Sequence, residues 1–142
     1  MRTPKVFTIC AVLCAALTAG ASGLVAHHSF SMFDTSKSVA LTGSVTAFLW
    51  TNPHAYIEMD VTTQGTSKHW SVEMGSPSIL MQSGWKFKDL KAGDKVSVTL
   101  SPLRDGQSGG LLIQATLPDG RVLGNGPGRG PAAPTAAPPA AR

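Results

Sequence analysis

The stretch that decides the fold runs from Val39 to Glu73 and reads VALTGSVTAFLW, TNPHA, YIEMDV, TTQGTS and KHWSVE. Apolar and polar residues alternate in the first, third and last of these segments, which is the pattern of half-buried β-strands. The two intervening segments contain Asn52-Pro53 and Gly65, which are residue types that favour turns. The stretch therefore predicts three consecutive strands joined by two loops.

The first predicted strand, Val39 to Trp50, is long and contains a glycine, Gly43. Glycine inside a strand is typical of a sharp bend or a bulge, because it has no Cβ atom to resist one. Near the end of the strand, Phe48 and Trp50 make both faces apolar. A long, bent strand of this kind suits a closed barrel better than a flat sheet. The alternating apolar positions, expected on one face, are Val39, Leu41, Val45, Ala47 and Leu49.

The second and third predicted strands, Ala55 to Val61 and Lys68 to Met74, form a hairpin whose register can be argued from charge. If Ile57 is opposite Val72, the apolar residues share one face and Asp60 lies opposite His69. The other register that keeps the apolar faces together places Glu58 opposite Glu73, and like charges directly opposed are unfavourable. We therefore predict the first register.

The rest of the domain adds one short helix and three more strands. Ser76 can cap the helix, Pro77 suits its first position and Gly84 can end it. A short helix between the third and fourth of five main strands, together with a bent first strand, is the element order of the OB-fold. This fold is a small all-β, five-stranded Greek-key barrel; another small barrel or a sandwich is the alternative. The later segments are strand Lys95 to Ser101, flexible loop Arg104 to Gly110, strand Leu111 to Leu117 and short strand Arg121 to Leu123.

The N-terminal residues 1–26 have the pattern of a secretory signal peptide. A short basic head precedes the apolar run Val6 to Leu17, which is too short for a stable membrane anchor. Small residues then offer two cleavage points, after Ala21 or after Ala26. Both cysteines, Cys10 and Cys14, fall inside this segment, so the mature chain has no disulfide. We expect a periplasmic or secreted protein with no transmembrane span in the mature chain.

Residues 27–123 make up the predicted domain, and residues 124–142 a disordered tail rich in Pro, Gly and Ala. The domain begins with an arm that we expect to dock through Phe30, Met32 and Phe33. The formal charge of +4 comes from the ends of the chain. The signal and the tail together hold four of the 12 basic residues, which leaves eight to balance the 8 acidic residues of the domain. The basic pI is therefore no evidence for nucleic-acid binding.

An OB-fold usually binds its ligand on the face of its second and third strands and the adjoining loops. Here the candidate ligand-binding residues are Asn52, His54, Tyr56 and Arg104. The same face holds three carboxylates and a single aromatic ring, which suits nucleic acid poorly. We expect instead an unknown protein or small-molecule ligand. The other polar residues of this face are Glu58, Asp60, His69, Ser71 and Glu73.

Enzymatic functions have less support in the sequence. No G-x-S-x-G nucleophile motif is present, and the glycine-rich segments lack the strand-to-helix context of a phosphate loop. Glu58, Asp60 and Glu73 could supply acid–base pairs, but alternating charges on a strand are usually a solvated face. We therefore expect a binding protein rather than an enzyme.

A histidine-based metal site is the alternative function. His27 and His28 begin the mature arm if cleavage follows Ala26, and His54 lies in the Asn-Pro-His corner. Imidazoles bind copper and zinc well, so these three residues are candidate ligands for either metal. The simpler interpretation is that the arm histidines are solvated, that His54 forms a hydrogen bond within its turn and that His69 pairs with Asp60.

Five segments, in this order, resemble a bacterial family of exported proteins catalogued as a domain of unknown function, family 6152. They are AHHSF, WTNPHAYIEMDV, HWSVEMGSPSIL, GWKFKDLKAGDKVSVTLSPLRDG and LPDGRVL. The resemblance covers about Ala26 to Gly124. It implies a small exported β-domain and implies no activity, cofactor or functional residue.

Overall fold

The computed structural model describes residues 30–127; the predicted signal peptide, His27, His28 and the tail from residue 128 lie outside this range. A single 3-10 turn, Phe30–Met32, precedes the first strand. One short helix, α1, follows the third strand. The elements are β1 Val39–Leu49, β2 Tyr56–Thr63, β3 Thr66–Glu73, α1 Pro77–Gln82, β4 Lys95–Pro102, β5 Gly109–Thr116 and β6 Val122–Gly124.

The strands form one sheet in the order β3-β2-β1-β4-β5-β6, and an additional parallel pairing of β3 with β5 closes it. Strands β1 to β5 therefore make a closed barrel, and the short β6 pairs with the last residues of β5. Five strands in this order, with one helix between β3 and β4, are an OB-fold. The predicted fold class is confirmed, and so is the hairpin register, since Ile57 pairs with Val72 and Asp60 with His69.

Strand β1 belongs to both halves of the barrel. Its first part, Val39 to Ser44, pairs with β4, and its second part, Ser44 to Leu49, pairs with β2. Gly43 lies at this change of partner, and a Cβ atom there would collide with the backbone carbonyl oxygen of Asp60. The absence of a side chain at Gly43 is thus what allows β1 to approach β2 so closely before it turns towards β4.

A bulge between Val45 and Ala47 changes which side chains of β1 face the core. After the bulge Phe48 is opposite the buried Ile57, whereas Leu49 is opposite Tyr56. The predicted inward positions of Ala47 and Leu49 are therefore wrong. One extra residue in a strand reverses the face of every later side chain, so Phe48 enters the core and Leu49 leaves it.

The barrel interior is filled by aliphatic side chains from all five strands, and Trp85 packs with them. Trp85 is 1% exposed, and its indole N–H donates to the carbonyl oxygen of Gly124 at 2.9 Å. Its ring centroid is 5.9 Å from that of Phe48. This tryptophan therefore connects β1, the segment after α1 and the end of β6. The fully buried strand residues include Val45, Ile57, Met59, Val72, Val96, Val98, Leu100 and Leu112.

The arm docks through Phe33 and through its backbone. Phe33 is buried and bridges to Leu103, and the Asp34 N–H donates to the carbonyl oxygen of Pro102 at 2.8 Å. The prediction for Met32 is wrong, because its side chain is 47% exposed. Backbone pairing beside the end of β4 holds the arm, and Phe33 and Asp34 are both buried there whereas Met32 is exposed; the side chain of Phe30 lies outside the described part.

Two local predictions need correction. Ser76 precedes α1 without a side-chain cap bond; its hydroxyl contacts that of Ser78 instead. The predicted flexible loop ends too late, because Gly109 already pairs with Ser71 and begins β5. A Cβ atom on Gly109 would lie 2.8 Å from a methyl carbon of Leu103, so this glycine serves close packing rather than flexibility.

The packed part of the domain also continues past Leu123. Gly124 belongs to β6 and is buried. The side-chain oxygen of Asn125 accepts a hydrogen bond from the Gly75 N–H at 2.6 Å. These contacts fasten the chain after β6 to the segment between β3 and α1.

Candidate functional site

The outer face of β1, β2 and β3 is the surface on which an OB-fold usually binds, and here it consists of three rows of side chains. Residues directly opposite each other in neighbouring antiparallel strands share a face, so the pairing defines each row. We call these nine residues the outer face. The rows are Leu49–Tyr56–Glu73, Ala47–Glu58–Ser71 and Ser44–Asp60–His69.

Glu73 links the first row to the corner between β1 and β2. Its carboxylate lies 2.6 Å from Nδ1 of His54. Burial raises the pKa of Tyr56, and the charge of Glu73 and a hydrogen bond with it raise the pKa further. The Thr51 hydroxyl donates to the carbonyl oxygen of His54 at 2.9 Å and so fixes the corner. One carboxylate thus orients both an imidazole and a phenol at the edge of the outer face.

His69 connects the second and third rows. Its Nδ1 is 2.8 Å from an oxygen of Asp60, and its Nε2 is 2.9 Å from an oxygen of Glu58. The other oxygen of Glu58 accepts a hydrogen bond from the Ser71 hydroxyl at 2.7 Å. Hydrogen bonds to Asp60 and then to Glu58 raise the pKa of His69. The predicted pairing of His69 with Asp60 is confirmed, and the contact with Glu58 adds to it.

The four candidate ligand-binding residues do not converge on one point. His54 and Tyr56 both meet Glu73, as described above. Asn52 is exposed in the corner, where its bond to Pro53 is cis. Arg104 is directed to the arm: its Nε donates to the carbonyl oxygen of Ser31 at 2.9 Å, and its backbone N–H donates to that of Met32. Within the described residues, the contacts of Arg104 hold the arm in place.

Of the three candidate metal ligands, His54 lies in the described part of the chain. His27 and His28 lie outside the described residues, so their position relative to His54 is untested. Among residues 30–127, no group of three or more His, Cys, Asp or Glu side chains is arranged to hold a metal ion.

Leu49, like Ala47, lies on the outer face although we predicted that it would face the core. It is 42% exposed and lies opposite Tyr56. One signal was available, because Phe48 and Leu49 are adjacent in a strand and cannot both face the core. The larger Phe48 is the better core residue, which would have placed Leu49 outside.

Comparisons with known proteins add a family and a fold neighbour. A sequence profile described as "Family of unknown function (DUF6152)" matches residues 12–114. No curated protein matches the chain. The crystal structure of the mitochondrial single-stranded DNA-binding protein Rim1 from S. cerevisiae is similar over 63% of this chain and 97% of Rim1, with 12% identity and a TM-score of 0.43. Within residues 30–127, no helix is long and apolar enough to span a membrane.

Proposed function

The chain belongs to the family of unknown function DUF6152, and we propose that it is an exported, non-enzymatic binding module that holds its ligand on the outer face. The observation that carries this proposal is the row formed by Leu49, Tyr56 and Glu73, with His54 beside it. The exposed Leu49 lies opposite Tyr56, and the carboxylate of Glu73 contacts both the phenol of Tyr56 and the imidazole of His54. The ligand is an unknown protein or small molecule.

This row combines the contacts that binding sites use. Leu49 offers apolar surface, Tyr56 offers a ring with a polar end, and His54 can donate or accept a hydrogen bond. Because Glu73 orients both polar groups before any ligand arrives, little side-chain freedom is lost on binding. A ligand with one apolar and one polar part fits this arrangement.

The polar groups of the other two rows favour binding over catalysis. An acid–base mechanism needs a group that can exchange a proton with the substrate. Ser71 donates its hydroxyl proton to Glu58, and both ring nitrogens of His69 contact carboxylates. A reaction there would first have to break these bonds, whereas binding at the Leu49 row leaves them in place.

The charge of the outer face favours a neutral or cationic ligand. Glu58, Asp60 and Glu73 contribute three carboxylates, and the nine residues include neither Lys nor Arg. Lys95 of β4 lies opposite Ser44, at the far end of the third row. Carboxylates on a binding face repel a phosphate backbone, so we do not propose nucleic acid as the ligand.

The proposed location, periplasmic or secreted, rests on the N-terminal sequence pattern. Cell fractionation and N-terminal mass analysis of the full chain expressed in a bacterial host test it. We expect a mature chain that begins at Ser22 or His27 and is recovered outside the cytoplasm. An uncleaved chain in the cytoplasm would contradict the export proposal and leave the binding proposal to its own test.

A pair of matched variants tests the binding proposal. Leu49 and Val122 are exposed to a similar degree, 42% and 40%, but Val122 lies on β6, outside the barrel wall that carries the outer face. A thermal-shift screen with amines, short peptides and neutral sugars would identify a ligand, and calorimetry would measure its affinity. We expect Leu49→Ser to weaken binding roughly tenfold, about 1.4 kcal/mol, and Val122→Ser to leave it unchanged. Equal affinity of the two variants would contradict the proposal.

Metal binding remains the second candidate because of the His54–Glu73 contact. Histidine ligands of metals commonly direct their other ring nitrogen to a carboxylate, as Nδ1 of His54 does here. We propose copper or zinc held by His27, His28 and His54 as the alternative function. Titration of the exported, chelator-free protein with Cu(II) tests it: weaker binding in His54→Ala would support the site, and unchanged affinity would exclude His54 from it.

A further inference from the structure

The strongest feature that the proposed function does not use is the position of His69 between two carboxylates of one neighbouring strand. Asp60 and Glu58 are two residues apart on β2, and the ring of His69 on β3 contacts both of them. A neutral imidazole has one N–H donor and one acceptor nitrogen, whereas an imidazolium has two donors. Ionised carboxylates only accept hydrogen bonds, so hydrogen bonds from both ring nitrogens to ionised Glu58 and Asp60 need the protonated ring.

We propose that His69 is a pH-controlled cross-brace: its imidazolium form holds Glu58 and Asp60 together across β2 and β3, and loss of one proton releases one of the two carboxylates to solvent. This inference stands apart from the proposed binding function, because it concerns the protein without a ligand. It makes the hydrogen bonding and the charge of two rows of the outer face dependent on pH.

The groups around His69 favour the protonated ring, so we expect the ring to lose its proton at a higher pH than an ordinary histidine does. Asp60 and Glu58 face it directly, and Ser71 holds the other oxygen of Glu58 so that the carboxylate stays aimed at the ring. Two lysines are placed near this row by the strand pairing: Lys95 lies opposite Ser44 at its far end, and Lys68 precedes His69 on β3 and lies opposite Val61. The two carboxylates raise the pKa of His69 above 6.5.

Release of one carboxylate from His69 would change the outer face in two ways. The face gains one unit of negative charge when the imidazolium loses its proton. A carboxylate that was held by the ring also becomes available for other hydrogen bonds. If Glu58 is the one released, it keeps its bond from Ser71, so the change is confined to the side of Glu58 that faces His69.

The direction of the effect on stability follows from linkage. Because the pKa of His69 is higher in the folded chain than its ordinary value of 6.5, the brace stabilises the fold fully below that pH. Its contribution is lost as the pH rises through the folded pKa. Since the side chain is 56% exposed, solvent screening keeps this contribution small, and spectroscopy is the sharper test.

The experiment is an NMR pH titration of the imidazole ring of His69, assigned by comparison with His69→Gln. We expect Asp60→Asn and Glu58→Gln each to lower the measured pKa of His69, and the double variant to lower it most. Asp105→Asn is the matched control, because Asp105 is an exposed carboxylate that contacts Gln107 in the β4–β5 loop. It should leave the pKa of His69 unchanged.

Ring nitrogen spectra supply a second, independent readout in the unmodified protein. Below the transition both nitrogens of His69 should carry protons, and above it one should not. A pKa of His69 that is equal in the double variant and in the control would overturn the proposal. So would a ring that is already neutral near pH 6.5, the ordinary pKa of the group. Backbone spectra of each variant show whether it is folded, so that unfolding is not mistaken for loss of the contacts between His69 and the two carboxylates.

Discussion

Gly43→Ala is the substitution that most directly tests how β1 pairs with β4 in its first part and with β2 in its second part. An added Cβ atom would collide with the backbone carbonyl oxygen of Asp60 and would lie 2.8 Å from the terminal methyl of Met59. The methionine is flexible and can move aside, but the carbonyl belongs to β2 and can move only with its strand. The substitution must therefore separate β1 from β2 at the point where β1 changes partner.

Two terms set the size of the effect. Overpacking in a close-packed core costs about 1–3 kcal/mol. Replacing glycine by alanine returns about 0.4–1 kcal/mol, because the unfolded chain loses conformational freedom. With the midpoint of each range, the net loss is about 1.3 kcal/mol. For a domain of this size each kcal/mol lowers Tm by about 4–8 °C.

Urea unfolding followed by tryptophan fluorescence measures this loss, since all three tryptophans lie in the described domain. Gly126→Ala is the matched control, because a Cβ atom there would be in ordinary contact with Ile79 at 3.5 Å. Its stability should stay within about 0.5 kcal/mol of the unmodified protein. If Gly43→Ala were as stable as Gly126→Ala, the close approach of β1 and β2 would not be a constraint on the fold.

Two further predictions follow from single contacts, and a third follows from the charge of the outer face. Trp85→Phe removes the donor to the buried Gly124 carbonyl and leaves a void, so it should cost about 2–4 kcal/mol in urea unfolding; a loss below about 1 kcal/mol would contradict the role of Trp85. Hydrogen bonds from Ser36 and Lys37 lower the pKa of Asp34 to about 2, so its stabilisation is complete above pH 3.8 and is lost as pH falls towards 2. Asp34→Asn should flatten acid unfolding over that interval, and an unchanged profile would refute this. A labelled single-stranded oligonucleotide should show no anisotropy change with the protein, and saturable binding would contradict the charge argument.

The barrel and the hairpin register were predictable because local patterns and charge agreed. Alternation in Val39 to Glu73 placed three strands correctly, and the repulsion between Glu58 and Glu73 selected the observed register. The helix between β3 and β4 was predictable from Pro77 and Gly84, which suit its two ends. In these places, each residue's intrinsic preference and its tertiary environment point to the same structure.

The bulge in β1 was not predictable from alternation, and it changed the candidate site. Both Phe48 and Leu49 are apolar, so the pattern does not say which of them enters the core. The close packing of β1 on β2 decides this, and it depends on residues distant in sequence such as Ile57 and Tyr56. Leu49 was missed for this reason. Likewise, the contacts of Arg104 with the arm depend on how the arm docks, which no local pattern contains.

The extent of the domain was also only partly predictable. Glycine and proline after Leu123 suggested a tail, yet Gly124 and Asn125 make specific hydrogen bonds with Trp85 and Gly75. Glycines at a strand end can satisfy backbone or close-packing requirements that composition does not reveal. Gly109 was misassigned to a flexible loop for the same physical reason.

The central claim is that the outer face is the binding surface, and backbone amide NMR of the labelled protein tests it most directly. The ligand identified by the thermal-shift screen would be added in steps and the perturbed amides mapped. Our account predicts that the largest changes fall at Leu49, Tyr56 and Glu73 and that Leu49→Ser needs roughly tenfold more ligand to produce them. Changes centred on Val122 and the segment after α1, with the same midpoint in Leu49→Ser, would contradict it.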